Sequence, residues 1–292
     1  MQYRSVFRPG LFEGKVVVVT GGGSGLGRCN AHELASLGAG VALVGRNIEK
    51  LQTVRNEIIE AYPEAATRVS THVCDIRIED VVRETVAAVL AFHGRIDGLF
   101  NNAGGQFPSA LRDLSLKGWD AVVRNNLHGT FLMSRECYTQ WMESNGGSIV
   151  NMLADIWGGM PGMGHTGAAR AGTLNFTETA ACEWAVSGVR VNAVAPGWVA
   201  SSGFDTYAPA FQDQLRSFKR SVPLQRHGTE SEVSAAVTFL LSEAAAFITG
   251  VALRIDGGVP NARPTWPLPA HNNSVPYHGF PLYSPPAFLE KE

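Results

Sequence analysis

Lys15-Val-Val-Val-Val-Thr20 runs directly into Gly21-Gly-Gly-Ser-Gly-Leu-Gly27, and this stretch decides the fold class. A short, unbroken run of β-branched residues suits a strand covered on both faces, as in a parallel sheet. Arg28 to Leu37 then reads as a helix, ended by Gly38. Gly21, Gly25 and Gly27 therefore lie in a strand-turn-helix context. Glycine permits the tight turn and the close backbone approach to a pyrophosphate, whose charge the helix N-terminus favours. The spacing predicts a dinucleotide-binding loop.

Outward from this point the alternation repeats. Val41 to Val44, Arg68 to Cys74, Ile96 to Phe100, Ser148 to Met152, Val189 to Val194 and Val251 to Ile255 read as strands. Helical patterns cover Asn47 to Ala61, Glu79 to Phe92, two stretches within Lys117 to Met142, Thr166 to Ser187 and Glu230 to Leu241. About seven strands separated by helices predict right-handed βαβ units. The expected architecture is α/β: a single Rossmann-type doubly wound parallel sheet with helices on both faces, over residues 14–258. Residues 1–13 read as an N-terminal arm. Residues 259–292 read as an extension, because eight of the fifteen prolines fall between Pro260 and Pro286, interleaved with Trp266, Tyr277, Phe280 and Tyr283. Proline at that density forms neither helix nor central strand. Such a segment packs over the protein or a neighbouring subunit, or caps a cavity.

Composition narrows the function classes. With 292 residues, 45% of them hydrophobic, and a formal charge of −2, the chain is globular and unsuited to electrostatic nucleic-acid binding. No apolar run is long enough to span a bilayer, and Met1 to Gly10 lacks the apolar core of a secretory signal. Cys29, Cys74, Cys137 and Cys182 show no CxxC spacing and read as reduced thiols of a cytoplasmic protein. The eight histidines are scattered, and no metal site is expected.

The second strand ends in Gly45-Arg46-Asn47, without the carboxylate that would bind a ribose 2′-hydroxyl. A guanidinium suits a 2′-phosphate, so Arg46 favours NADP(H) over NAD(H). Asp75, at the end of another strand, is a candidate for the adenine amino group, or equally for a turn.

With these pieces in order, the sequence resembles the short-chain dehydrogenase/reductases from Gly14 to Gly258. The resemblance rests on the glycine loop, Asn101-Asn-Ala-Gly104, Asn126-Leu-His-Gly129, Ser148-Ile-Val-Asn151 and Pro196-Gly197. It implies a nicotinamide cofactor, a small-molecule substrate and a homotetramer. The cofactor contacts it implies are Gly21, Gly23, Ser24, Gly25, Leu26, Gly27, Arg46, Asp75, Ile76, Asn102, Ala103, Gly104, Asn126, Arg170, Pro196, Gly197 and Val199.

Typical members carry a serine and then Tyr-x-x-x-Lys. Here Ala154 stands at the serine position, Thr166 at the tyrosine and Arg170 at the lysine. A threonine hydroxyl is too weak an acid to protonate an alkoxide, and arginine cannot shuttle a proton. Within the family the pattern is similar to the enoyl-CoA and 2,4-dienoyl-CoA reductases, whose chemistry differs. Hydride adds to carbon, the thioester oxygen takes up charge, and a proton goes to carbon. It is also similar to bacterial relatives labelled citronellol or citronellal dehydrogenases.

The resemblance implies a water-holding role for Asn126 and ribose binding for Arg170. Thr166 is a weak donor, and Asp155 and His165 are candidate proton donors. Trp157, Met160 and Met163 are candidates for an apolar wall, and Gln106 and Phe107 for substrate contact. Residues 198–228 form the expected substrate lid, where Ser201 and Ser202 could touch the cofactor. Its Arg216, Lys219, Arg220 and Arg226 suit coenzyme A phosphates or a solvated face. Three readings stand open: an NADPH-dependent reductase of an unsaturated acyl-CoA, an oxidoreductase of an isoprenoid alcohol or aldehyde, and a cofactor-binding protein without catalysis.

Overall fold

Seven parallel strands form one sheet in the order β3-β2-β1-β4-β5-β6-β7. They are β1 (Val16–Thr20), β2 (Gly40–Gly45), β3 (Val69–Val73), β4 (Gly98–Asn101), β5 (Gly147–Met152), β6 (Val189–Pro196) and β7 (Ala252–Ile255). The computed structural model describes residues 1–262 and 268–289. All five residues of β1 are buried. Their alternation supplies both layers: Val17 and Val19 face one core cluster and Val18 the other.

The first cluster is closed by α1 (Gly25–Ser36), α2 (Ile48–Ala61) and α9 (Glu230–Leu241), through Leu34, Leu51, Ile58 and Val237. The second is closed by α3 (Glu79–His93), α5 (Gly129–Cys137) and α7 (Gly164–Glu183), through Val82, Val86, Met133 and Ala180. Burying each such aliphatic side chain is worth about 1.5–3 kcal/mol, so both faces of the sheet contribute to stability.

The order reverses between β1 and β4, and the crevice at this switch point opens beyond the strands' C-terminal ends. The two helical stretches expected within Lys117 to Met142 join without a break. α4 (Leu116–Val123) passes through a π-helical turn, Arg124–His128, into α5. A second π turn, Tyr138–Met142, leads to the short α6 (Glu143–Asn145). The lid contains a helix that no periodicity announced, α8 (Pro209–Phe218), with Pro209 in its first turn.

The described part of the C-terminal extension crosses the α1–α9 face. Ser231 Oγ accepts from the Gly279 and Phe280 amides, and Thr229 Oγ1 donates to the Tyr277 carbonyl. The Phe280 ring lies under the Arg28 guanidinium and stacks on Tyr3 of the N-terminal arm. The segment ends against the lid, where the Arg216 Nε and Nη2 groups donate to the Phe288 carbonyl. Trp266 and the last three residues lie outside the described residues. Cys29, Cys74 and Cys137 are buried free thiols, and Cys182 is exposed. Among the described residues no helix is long and apolar enough to cross a membrane.

Candidate active site

The loop after β1 is a cradle that only glycine can line. Gly21 has φ +67°, and a Cβ on Gly27 would collide with the Gly21 carbonyl oxygen. Ser24 begins α1 without a side-chain cap, which leaves the first-turn amides available to an anion. Thr20 Oγ1 accepts from the Asn102 and Ala103 amides at 3.0 and 2.9 Å, and Asn102 Nδ2 donates to the Thr20 carbonyl at 3.0 Å. These bonds tie the end of β4 to the glycine loop. Backbone this close and this constrained fits the pyrophosphate of a dinucleotide.

A cavity of about 1050 Å³ runs from this loop along the strand ends to the lid. Gly23, Ser24, Gly25, Leu26, Arg46, Lys50, Asp75 and Ile76 line its end beside the glycine loop and β2. Arg46 is exposed and makes no ion pair among the described residues. Asp75 is engaged locally: Arg77 donates from Nε at 2.8 Å and from Nη2 at 2.6 Å, and its amide donates to the same carboxylate. Arg77 holds the Asp75 carboxyl below the ordinary range, and Arg46 adds a smaller pull. Of the two sequence readings of Asp75, the turn role is the one its contacts display.

Behind the Asn-Ala-Gly loop the π turn points Asn126 inward, fully buried. Its Oδ1 accepts from the Gly105 amide at 3.0 Å, and its Nδ2 donates to the Gly105 carbonyl at 2.9 Å. Thr130 and Thr173 both donate to its main-chain carbonyl. Arg170 of α7 donates to the Met152 carbonyl at 2.5 Å, and its Nε is buried without a partner. Burial pushes its pKa down to about 10, so the guanidinium is charged at neutral pH. A Cβ on Gly104 would lie 2.5 Å from both Arg170 Nη2 and Asn126 Oδ1.

The candidate proton donors separate. Asp155 lines the cavity, with a buried Oδ1 that has no partner. Burial raises its pKa, and the Asp256 carboxylate raises it further. Asp256, which follows β7, escaped the sequence reading. It packs against Gly197, and a hydrogen bond from the Gly258 amide fixes its Oδ1. Its Oδ2 is buried without a hydrogen bond, 3.4 Å from Arg254 Nε. His165 and Thr166 are fully buried and stand outside the cavity lining. His165 Nδ1 accepts the Thr166 amide at 2.9 Å, and its ring stands edge-on to Phe107. His165 Nε2 and Thr166 Oγ1 have no partner. Asp155 and Arg170 thus line the cavity, Asn126 lies behind the lining and meets Arg170 across Gly104, and His165 and Thr166 are buried outside the lining.

Pro196, Gly197, Val199, Ser201 and Ser202 line the cavity, as do Met160 and Met163; Trp157 instead lies over Arg254. From the lid, Trp198, Phe204, Tyr207, Phe211 and Phe218 supply an aromatic wall. Gln106 reaches across from the Asn-Ala-Gly loop and donates from Nε2 to Tyr207 Oη at 2.9 Å. The lid's basic residues are less available than their number suggests. Arg216 is bonded to Phe288 and Asp213, and Arg226 forms an ion pair with Glu232.

The family described as Enoyl-(Acyl carrier protein) reductase matches residues 21–260. The chain belongs to the short-chain dehydrogenase/reductase family. It is 37% identical over 249 residues to a probable 2,4-dienoyl-CoA reductase of Bacillus subtilis, covering 84% of this chain and 96% of the relative. It is 34% identical to the peroxisomal 2,4-dienoyl-CoA reductase of Danio rerio, over 88% and 85% of the two chains. Among solved structures it is similar to the citronellol catabolism dehydrogenase AtuB of Pseudomonas aeruginosa. That match has 56% identity and a TM-score of 0.78, and covers 88% of this chain and 99% of the other. As a member of this family the protein is an oxidoreductase, and its relatives imply a nicotinamide cofactor.

Proposed function

We infer that this oxidoreductase uses NADPH to reduce the conjugated carbon–carbon double bond of an α,β-unsaturated acyl thioester, with Asp155 as the proton source. The observation that carries this reading is that Asp155, whose Oδ1 is buried without a partner, and the buried Arg170 both line the cavity, while the Thr166 hydroxyl lies outside it. Burial and Asp256 favour the protonated form of Asp155, the state in which a carboxyl can donate.

The nicotinamide, when bound, supplies the hydride to the β-carbon. The double-bond electrons then place negative charge on the thioester oxygen. Asp155 delivers its proton to the α-carbon and is recharged from water through the open cavity. Asn126 and Arg170, fixed by Gly105 and Met152, hold the ribose side of the pocket in place. The aromatic lid wall holds the apolar acyl chain. Arg46 and Lys50, with no carboxylate at the end of β2, support a 2′-phosphate and hence NADP(H).

A second reading is oxidation of an isoprenoid alcohol. The 56% identity to a protein named for citronellol catabolism favours it. The two readings separate in one assay. NADPH consumption is followed with a medium-chain trans-2-enoyl-CoA and with citronellal, and the products are identified by mass spectrometry. A saturated thioester product supports the first reading. Silence with the thioester and citronellol formed from citronellal sinks it in favour of the second.

A further inference from the structure

We propose that Tyr207, carried by the lid, donates the hydrogen bond to the substrate's carbonyl or thioester oxygen, with Gln106 as its positioning residue; this rests on the oxidoreductase reading above. Tyr207 is the one tyrosine among the described residues that line the cavity. The residue where the family pattern puts a tyrosine is Thr166, whose hydroxyl is buried outside that lining. A phenol has therefore been supplied from another element.

Its geometry suits the task. The Gln106 amide donates to Tyr207 Oη at 2.9 Å, so the hydroxyl's own hydrogen must point elsewhere. No acceptor for it is found among the described residues, and the space it faces is the cavity. A hydroxyl that already accepts a bond is polarised into a better donor. Gln106 directly follows Gly105, which is locked to Asn126 by two hydrogen bonds. The phenol is thus referenced to the same loop that abuts Arg170. From the lid side, the Tyr207 ring stands edge-on to Phe211 at 5.0 Å, and Gln212 Nε2 donates to its carbonyl at 3.0 Å. Burial raises the Tyr207 pKa, so the hydroxyl keeps its hydrogen at working pH. No proton leaves Tyr207 during the reaction. It stabilises charge on oxygen, while Asp155 gives its proton to carbon in the alkene reaction or, ionised, takes the hydroxyl proton in the alcohol reaction.

The test compares wild type with Tyr207→Phe, which keeps the ring and its packing. One arm follows NADPH-dependent reduction of a trans-2-enoyl-CoA, the other NADP⁺-dependent oxidation of citronellol, since either substrate's oxygen takes the same bond. Losing one donor to a developing oxyanion costs about 10²-fold in kcat. The expected result is a kcat loss of that order in whichever arm the wild type turns over, with KM changed less than about threefold and NADPH affinity unchanged. Gln106→Leu is expected to show a smaller loss, about tenfold, because it disorients the hydroxyl without removing it. Wild-type kcat in Tyr207→Phe overturns the proposal. A merely structural role predicts that same retention, since the ring remains. Activity in the alcohol arm alone sinks the alkene reading and leaves Tyr207 to be judged in that arm. A wild type silent in both arms overturns both.

Discussion

Gly104→Ala probes the contact on which the reacting end depends. Gly104 is not in the left-handed region, so alanine brings no backbone strain. Its methyl would lie 2.5 Å from Arg170 Nη2 and 2.5 Å from Asn126 Oδ1. Ordinary contact begins near 3.4 Å, so both polar groups must give way, by about 1 Å each if the backbone stays in place. Arg170 has no room to do so freely, because it is buried and bonded to the Met152 carbonyl. Overpacking of this kind costs about 1–3 kcal/mol. For a chain of this size that is about 2–4 °C in Tm per kcal/mol, so Tm should fall by about 2–12 °C. A displacement of about 1 Å in a positioning group should also lower kcat/KM by about 10²-fold. Differential scanning fluorimetry and steady-state kinetics measure the two effects. Gly105→Ala is the internal comparison for stability, since its methyl would meet nothing closer than Asn125 Nδ2 at 3.5 Å. If the two variants melt together and Gly104→Ala keeps wild-type kcat/KM, the assignment of Arg170 and Asn126 to a tightly packed reacting end is wrong.

Asp155→Asn should lower kcat by about 10²-fold without altering NADPH affinity, because an amide cannot deliver the proton. In the wild type the rate should fall as pH rises through the raised Asp155 pKa, since only the protonated carboxyl donates; a pH–rate profile lacking that limb removes Asp155 from the chemistry. Arg46→Ala should weaken NADPH by about tenfold and leave NADH nearly unchanged, so parallel cofactor titrations that move together would show that Arg46 does not read the 2′-phosphate. Glu33, fully buried on α1, accepts hydroxyl hydrogen bonds from Tyr3, Ser5, Ser234 and Thr238. Burial raises its folded-state pKa above that of the unfolded chain. The stability linked to that proton is present at low pH and lost as pH rises through the folded value. Glu33→Gln should therefore flatten the decline of Tm as pH rises above the ordinary carboxyl range, and an unchanged slope would assign the decline to other groups.

The architecture was legible in the chain because its signals are local. A strand buried on both faces must be apolar at every position, and β1 announces itself that way. The glycine loop is equally local, since Gly21 and Gly27 are demanded by backbone approach within one turn. Asn126 and Arg170 came from the family resemblance, which rests on motifs local to their own segments. The proton donors were not separable this way. Asp155 and His165 lie in one glycine-rich stretch without periodicity, and nothing local says that one faces the cavity while the other is buried.

That choice belongs to the tertiary structure. Asp256 reaches Asp155 because the sheet lays β6 and β7 beside β5, and the loops beyond their ends converge although the residues are far apart in sequence. Gln106 meets Tyr207 only when the lid folds over the strand ends. The same closure commits Arg216 to the Phe288 carbonyl and Arg226 to Glu232. Residue identity and short-range periodicity determined the sheet, its helices and the cofactor loop. Which polar groups share a low-dielectric cavity, and so which one retains a proton, depends on through-space distances that strand order and lid packing set.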